Sequence, residues 1–384
     1  MEVAALERCV GDVARFLDRH WGREPLLWRS SVEPGFDDLA SLDDLDHMVS
    51  SLGLSASSLR MVRRGTTLPA ARYTTSPGKR ARTSEPLVSA PLVYARFSEG
   101  ATIVLESLHR YWRPLTDFCR DLELTLGHRL QVNAYITPPG SQGFDVHRDD
   151  HDVFVMQVWG AKHWIVYDRD HPDAVLIDEE IERGSVLYIP TGFPHAATTG
   201  SSASAHLTVG ILTHGSGDVV REIAKLAEKE PAFQERLPPG VAGDPVALRA
   251  VVEHHVEELR GWLDKLDVDE LTRRVARRVS STAQPIVHGQ LRQLVRLDEL
   301  DLDTVVARRR GSTCLLYPRD DALTVFLADR ELEMPRAGEE AMRRIAGLDR
   351  FRVGDLHDLL TPESSLVLVR RLIREGLLEV VLEG

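Results

Sequence analysis

The feature that most constrains this chain is a series of short strand-like runs in its middle third, broken by glycine- and proline-bearing turns. Gln131–Thr137 alternates, which puts Asn133 and Tyr135 on one face and Val132, Ala134 and Ile136 on the other. Val153–Trp159 follows, Gly160-Ala161 turns the chain, and Lys162–Tyr167 reads as the returning arm of a hairpin. Ser185–Ile189 and Ser204–Leu212 complete the set. Short, closely spaced antiparallel strands of this kind predict a double-stranded β-helix or jelly-roll barrel, whose polar positions can face an enclosed site.

Within this stretch stand His147-Arg-Asp149 and, later, Pro190-Thr-Gly-Phe-Pro194-His195. In a strand, residues two apart point the same way, so His147 and Asp149 can reach one ion. A third ligand is expected beside an antiparallel neighbour, for which Val186–Ile189 is the candidate, with His195 just beyond it. Pro190 and Pro194 stiffen that connection. Two imidazoles and one carboxylate leave coordination positions open, the arrangement of non-haem Fe(II) oxygenases. The tripeptide alone is weak evidence, because His-x-acid occurs three times. His171-Pro-Asp173 reads as a loop, and His255-Val-Glu257 lies in a helical pattern, where positions two apart do not share a face.

The run YITPPGSQGFDVHRDDHDVFVMQVWGAKHWIVY, with GSVLYIPTGFPHAATT after it, resembles the JmjC-type 2-oxoglutarate oxygenases of the cupin class. Within them it is most similar to the ribosomal oxygenases, which hydroxylate histidine or arginine in ribosomal proteins. The resemblance is dense over roughly residues 90–215 and looser beyond. It implies an α+β chain: a catalytic barrel over 1–215, a helical dimerisation segment over 216–281 and a winged-helix-like domain over 282–384. It also implies Fe(II) on His147, Asp149 and His195, with 2-oxoglutarate and dioxygen as co-substrates. Lys162 occupies the family's cationic anchor position for the far carboxylate of 2-oxoglutarate, Tyr135 would add a hydroxyl, and Asn133 a polar contact near the iron-bound end. The family carries a small hydroxyl residue near the position of Gly210, so one co-substrate contact departs from the pattern, and Thr208 is the candidate to replace it.

The remainder of the sequence sets bounds. At 384 residues the chain exceeds one ordinary core. A net charge of −12, with 15 Arg against 18 acidic residues over 283–384, disfavours direct DNA binding. Three scattered cysteines and no membrane-length apolar run predict a cytoplasmic protein, with Cys119 a buried hydrophobe. A continuous amphipathic helix is expected over 3–19, a polar helix over 37–52, and another over 115–126. Beyond Gly215, helical periodicity includes Asp244-Pro245 as a helix start. Helical runs at 339–345, 353–359 and 363–375 and strands at 314–317, 323–327 and 377–382 follow. His163 should face away from Lys162, and His206 reads as structural, with pocket-lining as the alternative. Asp150, His151 and Asp152 read as strand polarity or as support for the ligands. The Lys79-Arg80-Ala-Arg82 loop reads as a solvated segment, and Gly140–Phe144 as part of the site's rim. The expected substrate is a polypeptide, and the expected assembly a homodimer. An oxygenase of a biosynthetic peptide or small metabolite, and a metal-free scaffold, are the competing readings.

Overall fold

The computed structural model describes residues 4–29, 35–75, 85–141, 145–280 and 286–381. The 79–82 basic cluster, most of the 140–144 rim and the 281/282 boundary lie outside them. The chain divides into two compact units, Met1–Thr213 and His214–Gly384.

The first unit opens with α1 (Ala5–Val10), the short α2 (Val13–Arg15) and a π-helical turn at Phe16–His20. The continuous 3–19 helix is therefore broken. Gly11 has φ +69°, and an added Cβ there would come within 2.5 Å of the Trp28 indole. Helix α3 (Leu42–Ser51) starts later than expected, at a capping box between Ser41 and Asp44. Helices α4 (Ala90–Ser98) and α5 (Arg113–Leu126) follow, the latter with Cys119 buried.

The strands in chain order are β1 (Leu26–Arg29), β2 (Leu59–Arg63), β3 (Thr66–Thr67), β4 (Thr74–Thr75), β5 (Leu87–Val88), β6 (Thr102–Leu105) and β7 (Arg129–Thr137). After them come β8 (Asp152–Trp159), β9 (Ala161–Tyr167), β10 (Val175–Glu182), β11 (Ser185–Ile189), β12 (His195–Thr198) and β13 (Ser204–Leu212). They form an eight-stranded sheet, β1-β11-β8-β13-β7-β6-β2-β3, and a three-stranded sheet, β10-β9-β12. The helices cover one face of the large sheet, with Phe16, Leu45, Leu115, Val132, Ala134 and Phe154 in that core. Val153, Val155, Trp164, Val166, Leu187 and Ile189 pack in a second core, drawn from both sheets. Period-two alternation splits β8 between them, Val153 and Val155 to one core and Phe154 and Met156 to the other.

The hairpin expected of β8 and β9 is corrected by this topology. β8 pairs with β11 and β13, β9 with β10 and β12, so the turn at Gly160 carries the chain from one sheet to the other. Gly160 has φ +63°, and a Cβ there would collide with the Ala203 carbonyl. Alternation and a glycine turn are the same in a hairpin and in an arch between sheets, so the sequence does not separate them.

The second unit has α6 (Ser216–Ala227), α7 (Pro245–Leu263, with Asp244 accepting from Val246 and Ala247) and α8 (Val268–Ser280). Its core, including Val306, Val325, Met342 and Leu372, is built by α9 (Gln290–Leu294), α10 (Glu339–Gly347), α11 (Pro362–Arg374) and two small sheets. These are β18-β14-β19 (Arg350–Arg352, Val305–Arg308, Leu378–Val380) and β15-β16-β17 (Leu315–Pro318, Ala322–Leu327, Arg330–Pro335). The helix expected over 353–359 is only a 3-10 turn, Val353–Leu356.

Candidate metal centre

His147, Asp149 and His195 come together, each offering a ligand atom within 4.8 Å of the others. The Asp149 carboxylate lies 3.9 Å from His147 Nε2 and 3.6 Å from His195 Nε2. The backbone that achieves this differs from the strand pair expected. Only an isolated bridge joins His147 to His195, closed by His147 N–H to the His195 carbonyl at 3.1 Å and the reverse bond at 2.9 Å. Asp149 lies outside any strand, and His195 opens β12, which pairs with β9; β11 pairs elsewhere. The side chains converge because the bridge fixes both histidines, and Gly192 N–H donates to the Asp149 carbonyl at 3.0 Å.

Both imidazoles are held in one tautomer. His147 Nδ1 lies 2.9 Å from the Asp145 carbonyl, and His195 Nδ1 lies 3.0 Å from the Phe193 carbonyl. A carbonyl only accepts, so each Nδ1 carries the proton and each Nε2 keeps its lone pair toward the other ligands. Burial lowers the His195 pKa, which further favours the neutral ring. A neutral pair of Nε2 donors with one carboxylate fits a divalent transition metal.

Behind the ligands Asp152 takes the supporting place that is one of its two readings from the sequence, and it is buried rather than an exposed strand position. Buried at 4% exposure, it accepts from Tyr188 Oη at 2.5 Å, from Thr191 N–H at 2.8 Å and from Thr191 Oγ1 at 2.7 Å. Tyr188 Oη in turn accepts from Gly22 N–H at 2.8 Å. This chain ties the Thr191–Pro194 connection, and thus His195, to the large sheet.

His147, Asp149, His195, Tyr135, Lys162 and Thr208 line one cavity of about 190 Å³. Arg60, Thr102, Val153, Val155, Trp164 and His206 also line it. Lys162 is 4% exposed; its ammonium donates to Thr137 Oγ1 at 3.2 Å, and no carboxylate among the described residues pairs with it. Burial pushes its pKa down to about 7. Trp164 Nε1 and His206 Nδ1 are buried without a hydrogen-bond partner among the described residues. His206 stacks on Tyr135 with centroids 5.0 Å apart, and its pKa is held well below the usual value by burial and by Lys162. Of its two readings, pocket-lining or structural, the cavity wall bears out the first, and pairing shows why: His206 is the cross-strand partner of Tyr135. A buried cation beside unsatisfied polar atoms is a site for an anion.

Asn133 is placed differently. It does not line the cavity, and its amide oxygen accepts from Ser107 N–H at 2.9 Å, where Ser107 holds a left-handed φ of 58°. Gly210 is not open space. A Cβ there would lie 2.7 Å from His151 Nε2, so the His151 ring, bonded to Asp150 at 2.8 Å, fills the place of a side chain. His163 faces Asp178 at 2.7 Å, away from Lys162.

Fold and site together define a cupin-type barrel with a two-histidine, one-carboxylate centre. Residues 109–219 match the model of the JmjC domain. It is 28% identical over 217 residues to the bifunctional lysine-specific demethylase and histidyl-hydroxylase NO66 of Drosophila grimshawi, covering 51% of this chain and 28% of that protein. It is 30% identical over 249 residues to ribosomal oxygenase 1 of Gallus gallus, covering 58% of this chain and 40% of that one. The chain thus spans well under two thirds of these curated relatives. The crystal structure of the Escherichia coli ribosomal oxygenase YcfD superposes with a TM-score of 0.58 at 18% identity, over 97% of this chain and 99% of that one. YcfD has also been solved with cobalt and 2-oxoglutarate. No described helix is long and apolar enough to cross a membrane.

Proposed function

We propose that this protein is an Fe(II)- and 2-oxoglutarate-dependent hydroxylase of a histidine or arginine side chain in a ribosomal protein. The observation that carries the reading is one small cavity holding both a two-histidine, one-carboxylate cluster and a buried ammonium with no carboxylate partner among the described residues. The names of the relatives, ribosomal oxygenase and histidyl-hydroxylase, support the substrate class.

His147, Asp149 and His195 would hold the iron, which with 2-oxoglutarate and dioxygen supplies C–H hydroxylation. Lys162 binds the far carboxylate as an ammonium, with Thr137 and Tyr135 as hydroxyl donors beside it. The Tyr135 phenol stays protonated because burial raises its pKa. Thr208 offers a further hydroxyl on the cavity wall. Asn133 acts one step back, fixing the Ser107 backbone behind Tyr135 rather than touching the ligand. Val153, Val155 and Trp164 exclude water from the interior, which strengthens every charge interaction in it.

A cytoplasmic homodimer completes the proposal. It is supported by α7, which leaves Val246, Val252, Val256, Leu259 and Leu263 exposed along its length. The small sheets and helices of 282–384 are read as a winged-helix-like scaffold without DNA contact, in keeping with its acidic balance. Intact-mass comparison of ribosomal proteins from cells with and without the gene tests the substrate class. One added oxygen on one protein is expected, and identical masses overturn it.

A further inference from the structure

Resting on the hydroxylase reading, the geometry points to the Arg60–Glu106 pair as the contact that selects the substrate side chain, in favour of a neutral group with one donor and one acceptor, histidine above arginine.

Arg60, on β2, lines the cavity, and its Nε donates to Glu106 Oε1 at 2.5 Å. Glu106 directly follows β6, and its N–H donates to the Ser58 carbonyl at 2.9 Å, which fixes its backbone beside β2. Register places Arg60 opposite Val104, Val104 opposite Tyr135 and Tyr135 opposite His206. These residues therefore stand in one row across four strands, on the face that holds the site. The Tyr135 phenol feels its surroundings accordingly: burial raises its pKa, Arg60 lowers it, and Glu106 and Asp149 raise it. The ion pair is thus near enough to the phenol to act on it, and Arg60 shares the cavity wall with Asp149. Arg60 stands on the cavity wall with Glu106 paired behind it, and their side chains keep 33% and 25% exposure, whereas Lys162 is enclosed.

The cavity thus holds two cations with different surroundings. Lys162 has no carboxylate partner among the described residues and suits the dicarboxylate. Arg60 is neutralised by Glu106 and does not call for a second anion. What an adjacent carboxylate and guanidinium offer together is one fixed acceptor and one fixed set of donors. A neutral imidazole matches both, giving its N–H to Glu106 and its bare nitrogen to Arg60. A substrate arginine brings five N–H groups and no acceptor. It would place a second guanidinium against Arg60, and like charges in a site of low dielectric repel strongly.

The test uses the full-length protein with Fe(II), 2-oxoglutarate and ribosomes from cells lacking the gene, with the oxygen mapped by mass spectrometry. The mapped segment is then synthesised with histidine or with arginine at the modified position, and the two peptides compete in one reaction. Wild type is expected to favour the histidine peptide at least about tenfold, and Arg60→Gln to lower that ratio about tenfold. A ratio cancels any loss of folded enzyme. Glu106→Gln should raise the peptide KM by about tenfold with a smaller change in kcat. An oxygen on arginine, or a ratio unmoved by Arg60→Gln, overturns the assignment alone. Succinate release with no oxygen on any ribosomal protein overturns the substrate reading beneath it, and no succinate at all overturns the oxygenase reading.

Discussion

The two ends of the cavity contrast in how the chain builds them. At the metal end, His147 and Asp149 lie on irregular backbone, and the histidines are aligned by one bridge and by carbonyls on both Nδ1 atoms. At the anion end, Lys162 lies inside a regular strand, opposite Ile181, donates to the Thr137 hydroxyl and lies 5.9 Å from the Trp164 ring centroid, with no carboxylate partner among the described residues. The first end is held by many bonds that satisfy it. The second is a charge buried by the strand pattern and left for a ligand to satisfy. Precision at one end therefore comes from hydrogen bonding, and affinity at the other from unrelieved desolvation.

The sharpest way to break this contrast is at the metal end. His195→Ala should reduce 2-oxoglutarate-dependent succinate release to background, a loss of at least about a thousandfold, and chelation should do the same reversibly. Retained turnover in that variant would falsify the iron assignment.

Lys162→Met should act in opposite directions on binding and folding. The KM for 2-oxoglutarate should rise by roughly a hundredfold, while the co-substrate-free protein should melt higher, because a buried unpaired charge is removed. The folded pKa of about 7 lies below the ordinary 10.5 for lysine. Between those values the unfolded chain holds more protons, so folding stability should rise with pH across the window. The cost is fully present below pH 7, on the order of 3–5 kcal/mol for such a shift. Calorimetry from pH 7 to 10 should show the slope in wild type and a flatter one in Lys162→Met. Co-substrate affinity should weaken over the same range as the ammonium is lost.

Asp152→Asn sharpens the contrast from the supporting side. Loosening Thr191 should weaken metal binding about 10- to 100-fold with all three ligands intact. Equal metal affinity in titration would show that the bridge alone positions His195. The smallest effect belongs to Asn133→Ala, where loss of the bond to Ser107 should cost about 1 kcal/mol in melting, with turnover changed only a few-fold. A hundredfold loss of turnover would return Asn133 to direct contact with the ligand.

Part of the centre is legible in local residue types, and the rest in the resemblance of the surrounding run. His147 and His195 are flagged by residue type and by the prolines before His195, whereas Lys162 is flagged only through the resemblance, whose cationic anchor position it occupies. The backbone route to them is less legible. An isolated bridge has no periodicity of its own, so the strand argument for His147 and Asp149 names the right residues through the wrong geometry. Gly160 looks the same in an arch as in a hairpin, which conceals that β8 and β9 belong to different sheets. Strand β10 is mostly exposed and acid-rich, so it lacks the alternation that marks β7. Arg60 lies over a hundred positions from His195 in sequence but lines the same cavity, and only β-sheet register brings it there.

The arch at Gly160 also makes the site sensitive to length as well as to composition. Side chains along β9 alternate between the interior and the outside, so Lys162 points inward by count alone. One residue inserted between Trp159 and Lys162 would rotate the ammonium out to solvent and bring its neighbour in. Every functional atom would still be encoded, yet the cup would have lost its floor.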